Sequence, residues 1–287
     1  MSATLQAPAF MLAPAGRHAC PGGDETLIGA AFVEGPHLND TTAGTGGSPA
    51  TRPYAGQYML SGPAKVRDPR VTPIRGDLGD IALAGKLFAP HYVVPMERAV
   101  AVDHIALRKA KGDGAEQVSE LLRGERFCLL DIAGGWGWGY GKHDHYLGYL
   151  PMEALADPAD VPAPAAPDHA DPVALAEALA STPYVWGGRG GAGIDCSGLV
   201  QTVFARAGIV LPRDSDQQRD ADVGRLLDDS EPGQRGDLVF LPGHVGILKD
   251  ADTVIHASQD LARVAIEPLA DMVARKGTAI TARRRVL

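Results

Sequence analysis

A chain of 287 residues, 45% hydrophobic and 22% charged, has the composition of an ordinary globular protein and the length for one large domain or two smaller ones. Its 35 acidic side chains outnumber 27 basic ones for a net charge of −8, which argues against nucleic acid and anionic membrane surfaces as partners. Three cysteines, Cys20, Cys128 and Cys196, make an odd number without a C-x-x-C pair, so neither a disulfide framework nor a structural zinc site is expected.

Residues 1–15 contain apolar side chains, but the first basic residue is Arg17. The positive region of a signal peptide is missing, and a leaderless, cytoplasmic protein is expected. Apolar runs such as 81–83 and 238–241 fall far short of the ~18 residues a membrane helix needs. Residues 1–76 are dense in Gly, Pro, Ser and Thr, as in TTAGTGGSPATRP. They read as a disordered or irregular segment, within which Met59 is a candidate for the true start.

Between residues 77 and 155 short apolar runs (HYVVPM, AVAVDHIALRKA, SELLRGERFCLLDIAGGWGWGY, HYLGYLPMEAL) are broken by glycine and rich in Val, Ile, Phe, Tyr and Trp. That pattern favours a small β-barrel, with Cys128 in its core. Residues 156–171, ADPADVPAPAAPDHAD, form a Pro/Ala-rich linker. In 172–287, VALAEALAST begins a short helix. A second is capped by Asp195, buries Leu199, Val200, Val203, Phe204 and Ala207, and stops at Gly208. The strands DLVFL, HVGIL, TVIHA and a closing RRRVL follow, giving an α+β fold. The run Arg283 to Arg285 is expected to be a solvated strand edge. His143, Asp144 and His145 are expected to form a polar hairpin tip rather than a metal site.

Cys196 lies in the first turn of its helix, where unpaired N–H groups and the helix dipole favour a thiolate. A buried, inert cysteine is the plainer alternative. The glycines at 187, 188, 190 and 191 let the chain approach the thiol, and two histidines follow on strands. His244 and His256 are twelve residues apart, an even separation that permits both imidazoles on one sheet face, opposite or one diagonal apart. A cysteine at a helix start, a histidine base and a third group orienting it make a nucleophilic constellation.

The stretches PYVWGGRGGAGIDCSGLVQTVFARAGIVLPRDS, GDLVFLPGHVGIL and TVIHAS resemble the NlpC/p-sixty family of cysteine peptidases, over roughly 172–287. The resemblance implies a papain-like α+β domain with Cys196 as nucleophile, His244 as general base and His256 as the orienting third member. Tyr184 would assist the oxyanion. The run from Ser119 to Pro151 looks like the bacterial SH3-like barrel that precedes the peptidase in one branch, similar to γ-D-glutamyl-L-diamino acid endopeptidases. In that branch the substrate is a murein peptide, L-Ala-γ-D-Glu-diamino acid, whose free amine is held by an Asp-Ser pair. Here that pair is Asp214 and Ser215, residues equally suited to capping the next helix. Asp195 and Ser197, beside the nucleophile, join the substrate-binding residues by the same resemblance. Tyr146 would lean over the site, although Trp136, Trp138 and Tyr140 compete for that place or for the barrel core. No metal or organic cofactor is implied. The rivals are an exported endopeptidase acting on intact wall, a non-catalytic peptide-binding module, and a zinc site built from Cys196, His244 and His256.

Overall fold

A computed structural model describes residues 67–287, which form one compact unit. The expectations attached to the leader, to Met59 and to Cys20 lie outside the described residues. The fold is α+β: a seven-stranded barrel sheet, then a six-stranded sheet flanked by helices. Among the described residues no helix is long and apolar enough to cross a membrane.

A short parallel pair, β1 (Gly79–Asp80) and β2 (Tyr92–Val93), leads into the barrel. Its strands are β3 (Met96–Val100), β4 (His104–Arg108), β5 (Gln117–Leu122), β6 (Arg126–Ala133), β7 (Trp136–Gly141), β8 (Leu147–Pro151) and β9 (Leu155–Ala156). Their order in the sheet is β5-β4-β8-β7-β6-β3-β9. Alternation along β6 explains its two cores. Phe127 and Leu129 pack with Leu107, Leu121, Tyr146 and Leu150, while Cys128 and Leu130 pack with Leu78, Trp138 and Tyr140. Tyr140 is therefore a core side chain, and Trp138 is both part of that core and part of the lining of a cleft. The Tyr140 hydroxyl donates to Asp80 at 2.7 Å, and Trp138 is covered by the Arg75 guanidinium at 4.7 Å.

One expectation is sharpened here. Residues 67–76, counted with the irregular leading segment, are fixed against the barrel: the Leu147 N–H donates to the Arg70 carbonyl at 2.8 Å, and Arg75 bonds Asp77 and Asp131. His143, Asp144 and His145 do lie in the turn of the β7–β8 hairpin, where the Asp144 side chain is 2% exposed and accepts from Gln201 of the second half at 3.0 Å.

After residues 157–170, which contain no helix or strand, α1 (Pro172–Ala178) starts under an Asp171 cap with proline in its first turn. It ends before Pro183. Helix α2 (Cys196–Arg206) and the short α3 (Ser215–Arg219) follow. The sheet then comprises β10 (Arg225–Leu226), β11 (Leu238–Leu241), β12 (His244–Leu248), β13 (Thr253–Ser258), β14 (Arg263–Pro268) and, after α4 (Leu269–Lys276), β15 (Ala282–Arg285). Period 2 again divides the packing. Leu238 and Phe240 of β11 face α2 with Val200 and Phe204, while Val239 and Leu241 face α4 with Met272. With both faces covered, β11 and β12 are buried along their whole length.

The closing arginines are not a solvated edge, because β15 runs between β10 and β11. Arg284 is buried and donates to the carbonyls of Arg219 and Val223. Arg285 pairs with Asp237 at 2.7 Å.

Candidate active site

The sequence before α2 builds a tight junction. Asp195 has extended backbone, and its side chain accepts from the Gly198 N–H at 2.7 Å, capping the helix. Gly188 passes so close that a Cβ on Gly198 would lie 2.2 Å from its carbonyl oxygen. Of the four glycines, Gly188 brings the chain against the helix start, whereas Gly187 and Gly191 approach Gln117 and His104 of the barrel. Beneath the cap lies Arg213, 1% exposed, whose Nη2 and Nη1 donate to the two Asp195 oxygens at 2.6 and 3.0 Å. Arg213 also donates to Ser197 Oγ at 2.9 Å and, through Nε, to Ser119 Oγ of β5 at 3.0 Å.

The Asp195 oxygens additionally accept from the Gly187 N–H and the Ser197 hydroxyl. Asp195 and Ser197 line the cleft, yet these protein donors occupy the carboxylate and Arg213 occupies the hydroxyl. Their side chains thereby fix the start of the helix that presents Cys196 to the cleft which both residues line.

Cys196 also lines the cleft, at the start of α2 and beside β12, whose Val245 N–H bonds the sulfur. Burial, then the Asp195 carboxylate, pushes the thiol up to about 11, against the N–H groups of Val245 and Ser197 and the charge of Arg213. The thiolate expected from the helix dipole is outweighed by desolvation and its neighbouring carboxylate. Tyr184 packs against the core around Cys196. Burial, then the nearby sulfur, keeps its phenol protonated.

The histidines meet across the sheet. Ile247 of β12 pairs with Ile255 of β13, and continuing that register sets His256 opposite Gly246, one diagonal from His244. A Cβ on Gly246 would fall 2.5 Å from Val254 Cγ2 and 3.4 Å from His256 Cβ, so a side chain there would crowd β13 beside the imidazole. His244 Nε2 and His256 Nδ1 are 2.8 Å apart. One further diagonal step, with His256 opposite Ala265 and Val254 opposite Glu267, brings His256 Nε2 to Glu267 Oε1 at 2.7 Å. Arg275 of α4 pairs with both Glu267 oxygens.

A carboxylate can only accept. His256 therefore donates from Nε2 and accepts at Nδ1, His244 donates from Nε2, and the His244 Nδ1 lone pair is left for a proton acceptor's role. Burial, then the second imidazole, lowers His244 to about 3. A lowered histidine contributes stability that is complete above its unfolded value and is lost as pH falls toward the folded one. The thermal midpoint is expected to fall between pH 6.5 and 4, and to fall less in His244→Gln. Equal slopes in a melting series would refute that contribution.

A cleft of about 790 Å³ between barrel and second half is lined by Cys196, Trp186, Tyr146, Asp214, Glu116 and Arg70, among others. At one end the Tyr146 hydroxyl donates to Asp214 Oδ2 at 2.8 Å. Ser215 lines the same end. Asp214 and Gln217 form a capping box at the start of α3, with the Asp214 N–H donating to Gln217 Oε1 at 3.2 Å, so the Asp214 carboxylate serves the helix start and the cleft together. Burial raises that carboxyl, against the Tyr146 hydroxyl and the charges of Arg213 and Arg70. Among the described residues no cluster of His, Cys, Asp or Glu is arranged to hold a metal ion.

Sequence reasoning missed Arg213, Glu267 and Arg70. Arg213 stands directly before the Asp-Ser pair. Glu267 lies an odd eleven residues from His256, a relation that becomes visible only once the hairpin's turn is known. Arg70 belongs to the segment read as irregular.

Residues 181–283 match the NlpC/P60 family, and residues 107–155 match the family described as bacterial dipeptidyl-peptidase Sh3 domain. The chain is similar to the gamma-D-glutamyl-L-lysine dipeptidyl-peptidase of Bacillus cereus, 34% identical over 118 residues that cover 38% of this chain and 34% of the relative. It is also similar to dipeptidyl-peptidase 6 of Lysinibacillus sphaericus, 37% identical over 78 residues, 27% of this chain and 28% of the relative. The chain spans about a third of the length of the curated relatives it matches. A solved NlpC/P60 family protein from Bacillus cereus is 25% identical, covering 67% of this chain and 63% of that one with a TM-score of 0.37.

Proposed function

Since this chain carries a domain of the NlpC/P60 family of cysteine peptidases behind a bacterial Sh3 domain, we propose that it hydrolyses the γ-D-glutamyl to diamino-acid bond of murein peptides with a free N-terminal L-Ala. The observation that carries this reading is the meeting of Tyr146 and Asp214 at one end of the cleft that Cys196 lines. A carboxylate with a phenol and the Ser215 hydroxyl beside it suits an ammonium group.

The chemistry starts from a neutral pair, because the thiol is raised to about 11 and the imidazole lowered to about 3. Attack of the sulfur on the γ-carbonyl is coupled to transfer of its proton to His244 Nδ1. Backbone N–H groups at the start of α2 and the Tyr184 hydroxyl face the developing oxyanion. Collapse breaks the C–N bond as the imidazolium protonates the leaving amine. His244 then takes a proton from water, whose oxygen attacks the thioester and frees the dipeptide and the thiol.

Glu267 acts through His256 as a positioning residue. Glu267→Gln removes the obligate acceptor and admits the opposite tautomers, and is expected to lower kcat/KM by roughly 10–100-fold with KM nearly unchanged. An unchanged kcat would refute the role.

Incubation with L-Ala-γ-D-Glu-meso-diaminopimelate and with its N-acetylated form, followed by mass analysis, tests the specificity. Equal cleavage of both would defeat amine recognition by Asp214 and Ser215. The reaction belongs to the reuse of freed wall peptides, a reading supported by a cleft end stopped by side chains. Intact sacculi are expected to release no peptide.

A further inference from the structure

We infer that Arg70 is the partition that closes the amine end of the cleft and thereby decides which peptide N-termini enter it, an inference that rests on the proposed free-amine specificity. Arg70 lies on the coil before β1, its backbone held by the Leu147 N–H and by Asp68 Oδ1. Its guanidinium spends its donors on three carboxylates. Nη1 reaches Asp214 Oδ2 at 2.8 Å and Asp216 Oδ1 at 2.9 Å, Nη2 reaches Asp216 Oδ2 and Asp68 Oδ2 at 2.7 Å each, and Nε reaches Asp68 Oδ1 at 3.0 Å. Gln217 donates to Asp68 from the far side at 2.8 Å. The planar fork of arginine suits this task, which the point charge of lysine does not.

Beyond this cluster lies a second cavity of about 760 Å³, lined by His143, Val210 and Asp220 among others. Arg70 and Asp216 line both cavities. The ion-paired side chains of Arg70 and Asp216 are thus shared between the cleft and this second cavity. The partition also keeps the site attractive to a cation: three carboxylates around one guanidinium leave a surplus of negative charge facing the cleft. A peptide extended beyond its L-Ala nitrogen has to pass where Arg70 stands.

The test measures kcat/KM of the full chain on the free and N-acetylated tripeptides, for wild type, Arg70→Ala and Arg70→Met. Wild type is expected to favour the free amine. Arg70→Ala is expected to lower that preference roughly tenfold or more, through gained cleavage of the blocked peptide. Arg70→Met, which refills the volume without charge, is expected to retain it. The readout is a ratio on one preparation, so a smaller folded fraction cancels. An unchanged ratio in Arg70→Ala overturns the partition, including the case in which both rates rise because Arg70 merely competes for Asp214. Loss of preference in Arg70→Met as great as in Arg70→Ala overturns it as well. Equal cleavage of both peptides by wild type is a different failure, that of the amine reading itself, and the inference falls with it.

Discussion

Cys196→Ala is expected to abolish turnover, lowering kcat/KM at least about 10⁴-fold, while the thermal midpoint stays within a few degrees. The sulfur is one member of a large core around α2, and its loss leaves a space no bigger than one atom. In the proposed mechanism the sulfur has no substitute, because the steps before and after the thioester both pass through it. Residual activity in that variant would overturn the mechanism. Iodoacetamide is expected to inactivate the wild type faster as pH rises toward about 11, where burial and the Asp195 carboxylate at last allow the thiol to ionise. A chelator is expected to leave activity intact. The reverse pattern, sensitivity to chelation without sensitivity to alkylation, would favour the zinc reading instead.

Arg213→Met is expected to be the most destabilising single change in the second half. Arg213 is 1% and Asp195 5% exposed, so removing the guanidinium strands a carboxylate in the core. Breaking such a pair from one side costs about 3–5 kcal/mol. In a protein of this size that lowers the thermal midpoint by roughly 10 °C. Removing both charges, in Asp195→Asn with Arg213→Met, is expected to cost less than the sum of the single changes, since nothing charged is then left unpaired. Simple additivity in a double-mutant cycle would show that the two side chains are not coupled. Activity is expected to fall with the single variant beyond its loss of stability, because Asp195 caps the helix that presents Cys196.

Local patterns carried much of this architecture. The cap-plus-period signal of α2 and the short apolar runs of β11 to β13 are properties of contiguous residues, and the parity of His244 and His256 needed only the assumption of a hairpin. The placement of Tyr146 against Asp214 spans 68 residues and came from family resemblance rather than periodicity. What stayed hidden depends on long-range burial of charge. A lone arginine in sequence is a surface residue by default. Nothing near Arg213 or Arg284 announces the carboxylate or carbonyls that take them inside. The same limit explains the thiol: a helix start argues for a low pKa, and only the packed structure reveals how dry the site is and that the cap is itself a negative charge. Arg70 escaped for another reason, since Gly- and Pro-rich composition reports on secondary structure and not on whether a coil is pinned down.

The contact of Ser119 with Arg213 bears on heredity as much as on mechanism. Glu120 accepts the N–H groups of Arg189 and Gly191 at 2.7 and 3.0 Å, and Glu125 pairs with Arg189 at 2.7 Å. Three barrel residues within seven positions thus neutralise or bond groups that the catalytic half keeps away from water. Such halves are poor currency for domain shuffling. A foreign barrel lacking that short run would leave the Arg189 guanidinium without Glu125 and the Arg213 Nε without Ser119, so the two modules are constrained to diverge together.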